Sequence, residues 1–437
     1  MKTYFRIWSL TLFLKLAISA ALPLIPDEAY YWVWSLFPQL SYFDHPPMSA
    51  WLLWLGHFFD YWGSMVRWPS VILGHCIWLI WFFIFQQLKL ENKILTFWFW
   101  LTLLSPLLGF GSILITPDLP LLIFWSLSLL FFLKYLDTPS SKNALGLGVS
   151  LGLGFLSKYM IVLFVPLALF ALWQNNLLKK FHWPRLYVVI LFGFVFCLPV
   201  LIWNQQHQWM SFQFQLKHGL QQNNFSWHWP VEYVLGQIIA LFPLIFWSAI
   251  KNKDPRVQLL KAFAWGPLVF FFITSFRAPV EGNWPIMAYP AFYALALTGA
   301  WTSRKQWITL SSWGALYLFI GIALFFKSDK VVHGKILEPF IYRDFSSLVK
   351  KYEPLYGINY QLASTLWFQS KIPVYKLSQS SRYDFFDTFE EGLPKINHFF
   401  VIKQKHHDLP QWITNDGWQI RVVESLKNDY LILEVQK

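Results

Sequence analysis

Residues able to do chemistry are few in this chain and fall in short stretches. DEAYYWVWSLFPQLSYFDHPP, running from Asp27 to Pro47, carries Asp27 and Glu28 at its head and Asp44 and His45 before two prolines. Carboxylates so placed can move a proton or orient a nucleophile. They can equally be solvated loop groups, or caps of interfacial helices, where an acid suits the helix dipole. Asp118 stands in the turn TPDLP, too short to leave a membrane surface, although an Asp in such a turn also bonds its own backbone. Lys158 and Arg277 lie at the ends of apolar runs. Either could clamp a phosphate, Arg bidentately, or snorkel to the interface.

NQQHQWMSFQFQLKHGLQQNNFSWHWP places His207, His218 and His228 about ten residues apart, which is no metal signature. Its aromatics suit an interfacial helix covering a site. Glu281 and Asn283 sit together in RAPVEGNWP, and no Walker loop, Rossmann glycine pattern or HExxH helix occurs.

The elements that position these residues are apolar. Of 437 residues 56% are hydrophobic and 13% charged, against about a quarter charged in soluble domains, which indicates a polytopic membrane protein. Runs of spanning or near-spanning length occupy approximately residues 5–25, 67–87, 94–114, 119–136, 144–157, 160–174, 186–203, 231–250, 259–276, 285–302 and 307–326. About eleven spans are expected, with 144–157 and 160–174 short for full crossings. The first run follows Lys2 and Arg6 like a signal peptide, but its length and the spans after it favour a retained helix. With the N-terminus inside, inner loops hold Lys89, Lys93, Lys134, Lys142, Lys179, Lys180, Arg185, Lys251, Lys253, Arg256, Lys261, Arg304 and Lys305. Outer loops hold Asp27, Glu28, Asp44, Asp60, Asp118, Glu232 and Glu281, with Lys158, Lys217 and Arg277 as isolated cations. This is the positive-inside pattern. It accounts for the formal charge of +12 without a nucleic-acid partner.

The reading is therefore a membrane domain over residues 1–326, with a first outer loop at 26–66, and a small α/β extracytoplasmic domain over 327–437. The loop is expected to lie on the membrane, with Tyr30, Tyr31, Trp32, Trp34, Trp51 and Trp54 at headgroup level. In the polar domain a helix is expected at 360–368 and strands at 373–377, 399–403, 418–424 and 430–435. Cys76 and Cys197 lie inside apolar runs and suit small buried hydrophobes.

DEAYYWVWS, YFDHPPMSAWL, TPDLPLLIFW, GFLSKYMIVLFVP and EGNWPIMAYP, in that order, resemble the bacterial membrane glycosyltransferases related to protein O-mannosyltransferases and to the lipid A aminoarabinose transferase. The resemblance covers roughly residues 1 to 300. It implies a C-type glycosyltransferase fold, a polyprenyl-phosphate-linked sugar as donor, and inverting transfer on the periplasmic face of the bacterial inner membrane to a lipid A or lipopolysaccharide, other glycan or protein acceptor. It puts the catalytic acid or base on Asp27, with Glu28 as partner and Asp118 as the second acidic position. Lys158 and Arg277 fall where the donor phosphate is held. The aminoarabinose transferase has Glu and Lys before the double proline, where this chain has Asp44 and His45. By place, His45 joins the phosphate group, while Asp44, Tyr42, His218, Glu281 and Asn283 line the site toward the acceptor. A divalent metal is left open, with no residue assigned to it.

Two other classes share part of this pattern. A transporter or flippase of lipid-linked sugars would need similar cations and aromatics, but would place ionisable groups near the midplane, with repeat symmetry. A non-catalytic assembly protein would have no use for both Asp27 and Asp118.

Overall fold

A computed structural model describes residues 2–220, 226–325 and 337–437. The boundary placed at residue 327 lies outside the described residues, as does the side chain of His218. Each expected apolar run is helical for most of its length. Four helices among the described residues are long and apolar enough to cross a membrane. Six are, if the bent pairs Asn92–Leu104 with Pro106–Ile113 and His228–Leu241 with Pro243–Ile250 each count as one. Pro106 and Pro243 begin the second helix of their pairs; proline lacks the N–H that would continue the ladder, so the chain turns by 71° and 93° there. Tyr159–Gln174, Leu260–Ser275 and Ile286–Thr298 are shorter apolar helices.

Asp118–Asp137 is the central helix, with 78% of its apolar window buried. Two hydroxyls stitch it to its neighbours: Trp81 Nε1 donates to Ser126 at 3.0 Å, and Ser128 donates to Ser150 at 3.0 Å. Between apolar helices such bonds and close backbone approach replace the hydrophobic drive available in water. The helix Ser141–Ser157 approaches Leu186–Gln206 through glycine: a Cβ on Gly148 would meet Val189 O at 2.6 Å, and one on Gly152 would meet Phe196 Cβ at 2.5 Å.

The first loop differs from expectation. Pro26 opens a helix, Pro26–Leu36, whose Tyr30, Tyr31, Trp32 and Trp34 are buried instead of standing at headgroup level. Helical backbone resumes at Met48 and continues to Gln87, broken at Trp62 and Gly63 (φ 63°). Trp54 remains exposed, as an interfacial ring should.

The C-terminal part has four strands, β1 (Leu355–Gly357), β2 (His398–Gln404), β3 (Gln419–Ser425) and β4 (Tyr430–Gln436), in the order β1-β2-β4-β3. β1 runs parallel to β2 and the other pairs are antiparallel, with Val401 opposite Leu433. Alternation divides the side chains: Phe399, Val401, Leu433 and Val435 form one small core. Ile402, Tyr430 and Ile432 join another with the helix Tyr360–Ser370 and the first loop. The strand expected at 373–377 is reduced to a bridge between Gly357 and Lys376. Pro373 can donate nothing to a ladder, and the Lys376 side chain is held by two aspartates, Asp384 at 2.8 Å and Asp387 at 2.5 Å.

Candidate active site

Asp118 starts the central helix, where the positive end of the helix dipole favours a carboxylate. Its Oδ1 lies 2.6 Å from Lys158 Nζ, and its Oδ2 accepts a bond from Asn283 Nδ2 at 2.8 Å. Lys158 reaches it because the helix Ser141–Ser157 stops at that point, with Lys158 extended (φ −159°). Three segments distant in sequence thus meet on one acid. The pair is nearly dry, 13% and 8% exposed, so its attraction is screened less than on an open surface. An ammonium carries three donors, and Asp118 occupies one. A cavity of about 190 Å³ adjoins, with Asp118, Asn283 and Thr116 among walls otherwise mostly apolar, including Ile77, Trp78 and Leu119.

Asp27 and Glu28 part company. Glu28 is fully buried: one oxygen meets Arg67 Nη2 and Ile25 N, both at 2.9 Å, and the other takes Ile115 N at 2.8 Å. Arg67 is as deeply buried and also donates to Pro23 O at 2.9 Å. Through those engagements Glu28 binds the loop to the bundle. Asp27 accepts a bond from the Tyr360 hydroxyl at 3.2 Å, from a helix more than three hundred residues later.

Asp44 is also covered. Tyr30 donates to its Oδ2 at 2.6 Å, and Arg382 Nη1 lies 2.9 Å from its Oδ1. Burial raises the proton affinity of this carboxyl, while Arg382 and the Tyr30 bond pull the other way. The Tyr42 ring stacks on Trp34 at 4.5 Å and its hydroxyl donates to Trp34 O and Phe37 O, pinning the loop. His45 sits edge-on to Tyr31, with ring centroids 6.4 Å apart. Burial, and after it the nearby charges of Asp27, Asp44 and Asp118, raise the Tyr31 phenol well above its ordinary range, while Tyr30, Tyr360 and Arg382 link the surroundings of Asp27 and Asp44 by direct contacts.

Arg277 and Glu281 are exposed. Among the described residues Arg277 makes no side-chain hydrogen bond or ion pair, so the structure does not join it to Lys158. No group of three His, Cys, Asp or Glu suited to a metal occurs among the described residues. Arg67, Tyr360 and Arg382 also join these contacts. A lone Arg at the head of an apolar run was a signal for the first; Tyr360 and Arg382 carried none, because their site partners lie at the other end of the chain.

The family described as dolichyl-phosphate-mannose-protein mannosyltransferase matches residues 44–203. The lipid A galacturonosyltransferase RgtD of Rhizobium johnstonii is 24% identical over 307 residues, 64% of this chain. That match spans 61% of the relative's length. The crystal structure of ArnT from Cupriavidus metallidurans bound to undecaprenyl phosphate superposes with a TM-score of 0.70 at 15% identity, covering 99% of this chain and 98% of that one. Its apo state gives 0.66 at 14%. The fold is therefore the C-type glycosyltransferase fold with a small C-terminal sheet domain.

Proposed function

For a chain that belongs to the bacterial membrane glycosyltransferases related to protein O-mannosyltransferases and the lipid A aminoarabinose transferase, we propose that it moves a sugar from a polyprenyl-phosphate carrier to a lipid A or similar envelope acceptor on the extracytoplasmic face of the inner membrane. The observation that carries this reading is the meeting of Asp118, Lys158 and Asn283.

In that reaction an acceptor oxygen attacks the anomeric carbon, the bond from that carbon to the phosphate oxygen breaks with inversion, and the polyprenyl phosphate leaves with the electron pair. Negative charge grows on the leaving phosphate, and Lys158, aimed by Asp118, has donors left to meet it. A hydroxyl acceptor must lose a proton, which Asp27 would take while Tyr360 holds its carboxylate. An acceptor already ionised asks less of Asp27.

The test supplies protein in nanodiscs with undecaprenyl-phosphate galacturonic acid and lipid A. Asp27→Asn should cut the transfer rate by about 10² to 10⁴, and Lys158→Ala should also lose rate. A well-folded Asp27→Asn variant transferring at the full rate would remove Asp27 from the chemistry. Absence of transfer with any donor, together with donor movement across vesicles, would point to a flippase instead.

A further inference from the structure

Arg382 lies in the C-terminal domain, between the helix Tyr360–Ser370 and the short 3-10 helix Phe385–Thr388. Its guanidinium is packed over two rings, Tyr360 at 5.2 Å and Phe214 at 5.4 Å, and reaches Asp44 Oδ1 at 2.9 Å. The arginine is about half exposed and the aspartate 4% exposed. A carboxylate taken out of water stays ionised only beside a cation. The nearby Lys376 is committed to Asp384 and Asp387, so Arg382 supplies the balancing charge. Three residues on, Phe385 N donates to the Tyr30 hydroxyl at 2.8 Å, and that hydroxyl donates to Asp44 Oδ2. The domain therefore grips one loop carboxylate directly and again through Tyr30. Through the ring of Tyr360, whose hydroxyl holds Asp27, Arg382 also touches the support of the other.

We propose that Arg382 is a positioning residue of the transferase site, setting Asp44, and with Tyr360 also Asp27, in the arrangement that receives the acceptor. The inference rests on the transferase reading above. Groups facing Asp44 are Tyr30 and Tyr31 from the loop helix, and Tyr360, Lys376, Arg382 and Asp384 from the C-terminal domain; Gln215 of the helix Met210–Leu220 bonds its carbonyl. Among them Arg382 alone is a cation not already engaged by another carboxylate.

The test compares Arg382→Ala, Arg382→Gln and Arg382→Lys with wild type in nanodiscs, using the same donor and lipid A. Loss of the guanidinium should lower kcat about tenfold or more at neutral pH and change KM for the donor by no more than about twofold. The acid limb of the kcat profile should move to higher pH, because Asp44 without its cation holds its proton more tightly. Lys should restore part of both. A separate readout needs no turnover: the protonated-carboxyl infrared band that Asp44→Asn abolishes should titrate at higher pH in the Ala and Gln variants. Reduced stability with an unmoved profile and an unmoved band would show a docking contact only and overturn the proposal, as would wild-type kinetics in Arg382→Gln. If wild type transfers nothing from this donor, the transferase reading fails for that pair, and the infrared midpoint still decides whether Arg382 sets Asp44.

Discussion

Removing Glu28 would leave Arg67 charged where water does not reach. Breaking a buried pair from one side costs about 3–5 kcal/mol, whereas replacing both partners with neutral groups is far milder. Glu28→Ala should therefore lower the unfolding midpoint in detergent sharply, and Glu28→Gln with Arg67→Gln should recover much of it. Its neighbour should behave differently: Asp27→Asn keeps an oxygen that can accept from Tyr360, so it should cost less stability than Glu28→Ala while activity falls as argued above. Equal loss of stability in the two single variants would refute this division. The two acids look alike in sequence because adjacency hides direction. Successive helical side chains point about 100° apart, so one faces the bundle and the other faces the C-terminal domain. Asp118, Lys158 and Asn283 were legible as unusual residues near one surface; that they form a single contact group was not, since no local pattern encodes three segments converging.

Helices were legible because apolar runs of that length have few other options. Their bends were less so: Pro106 and Pro243 each interrupt a run that reads as continuous, and whether a proline tilts a helix or splits it depends on what packs around it. The run at 144–157 is short for a full crossing, and its glycine face packs closely against Leu186–Gln206. Gly152→Leu should destabilise the bundle or prevent its assembly, since the new side chain would collide with Phe196 and with Gly193 O, 2.8 Å from its Cβ. Gly193→Ala should be tolerated, its Cβ meeting Gly148 O at an ordinary 3.6 Å. Thermal unfolding of both variants in detergent checks the contrast; similar losses from the two would mean that close approach is not what holds this pair.

On the scale of the molecule, the C-terminal domain was visible in composition, and its helix and three of its strands in their patterns. Its docking was not. Tyr30, Tyr31, Trp32 and Trp34 belong to a residue class that ordinarily marks the headgroup level, and here they form the seam with Phe368, Phe385 and Phe386. The seam is bordered by Lys376 and its two acids, of which Asp384 is raised by burial to about 6, against the pull of Lys376. With a folded value above the ordinary 3.8, the native state binds this proton more tightly than the unfolded chain does. Its contribution to stability is therefore full below about pH 4, declines as pH rises toward 6, and is flat beyond. Unfolding of the full chain between pH 4 and 7 should lose this component of its slope in Asp384→Asn; an identical slope in the variant would show that another group titrates.

The shared seam also imposes a timetable. A ribosome reaches Arg382 and Phe385 only after every apolar helix of the chain has been made, and Tyr30 and Asp44 were made near the start. Until then the acidic loop lacks the residues that cover it in the full chain. A chain stalled or cleaved before residue 355 would lack the clamp on Asp44, and quality control that watches helix insertion alone would not register the loss.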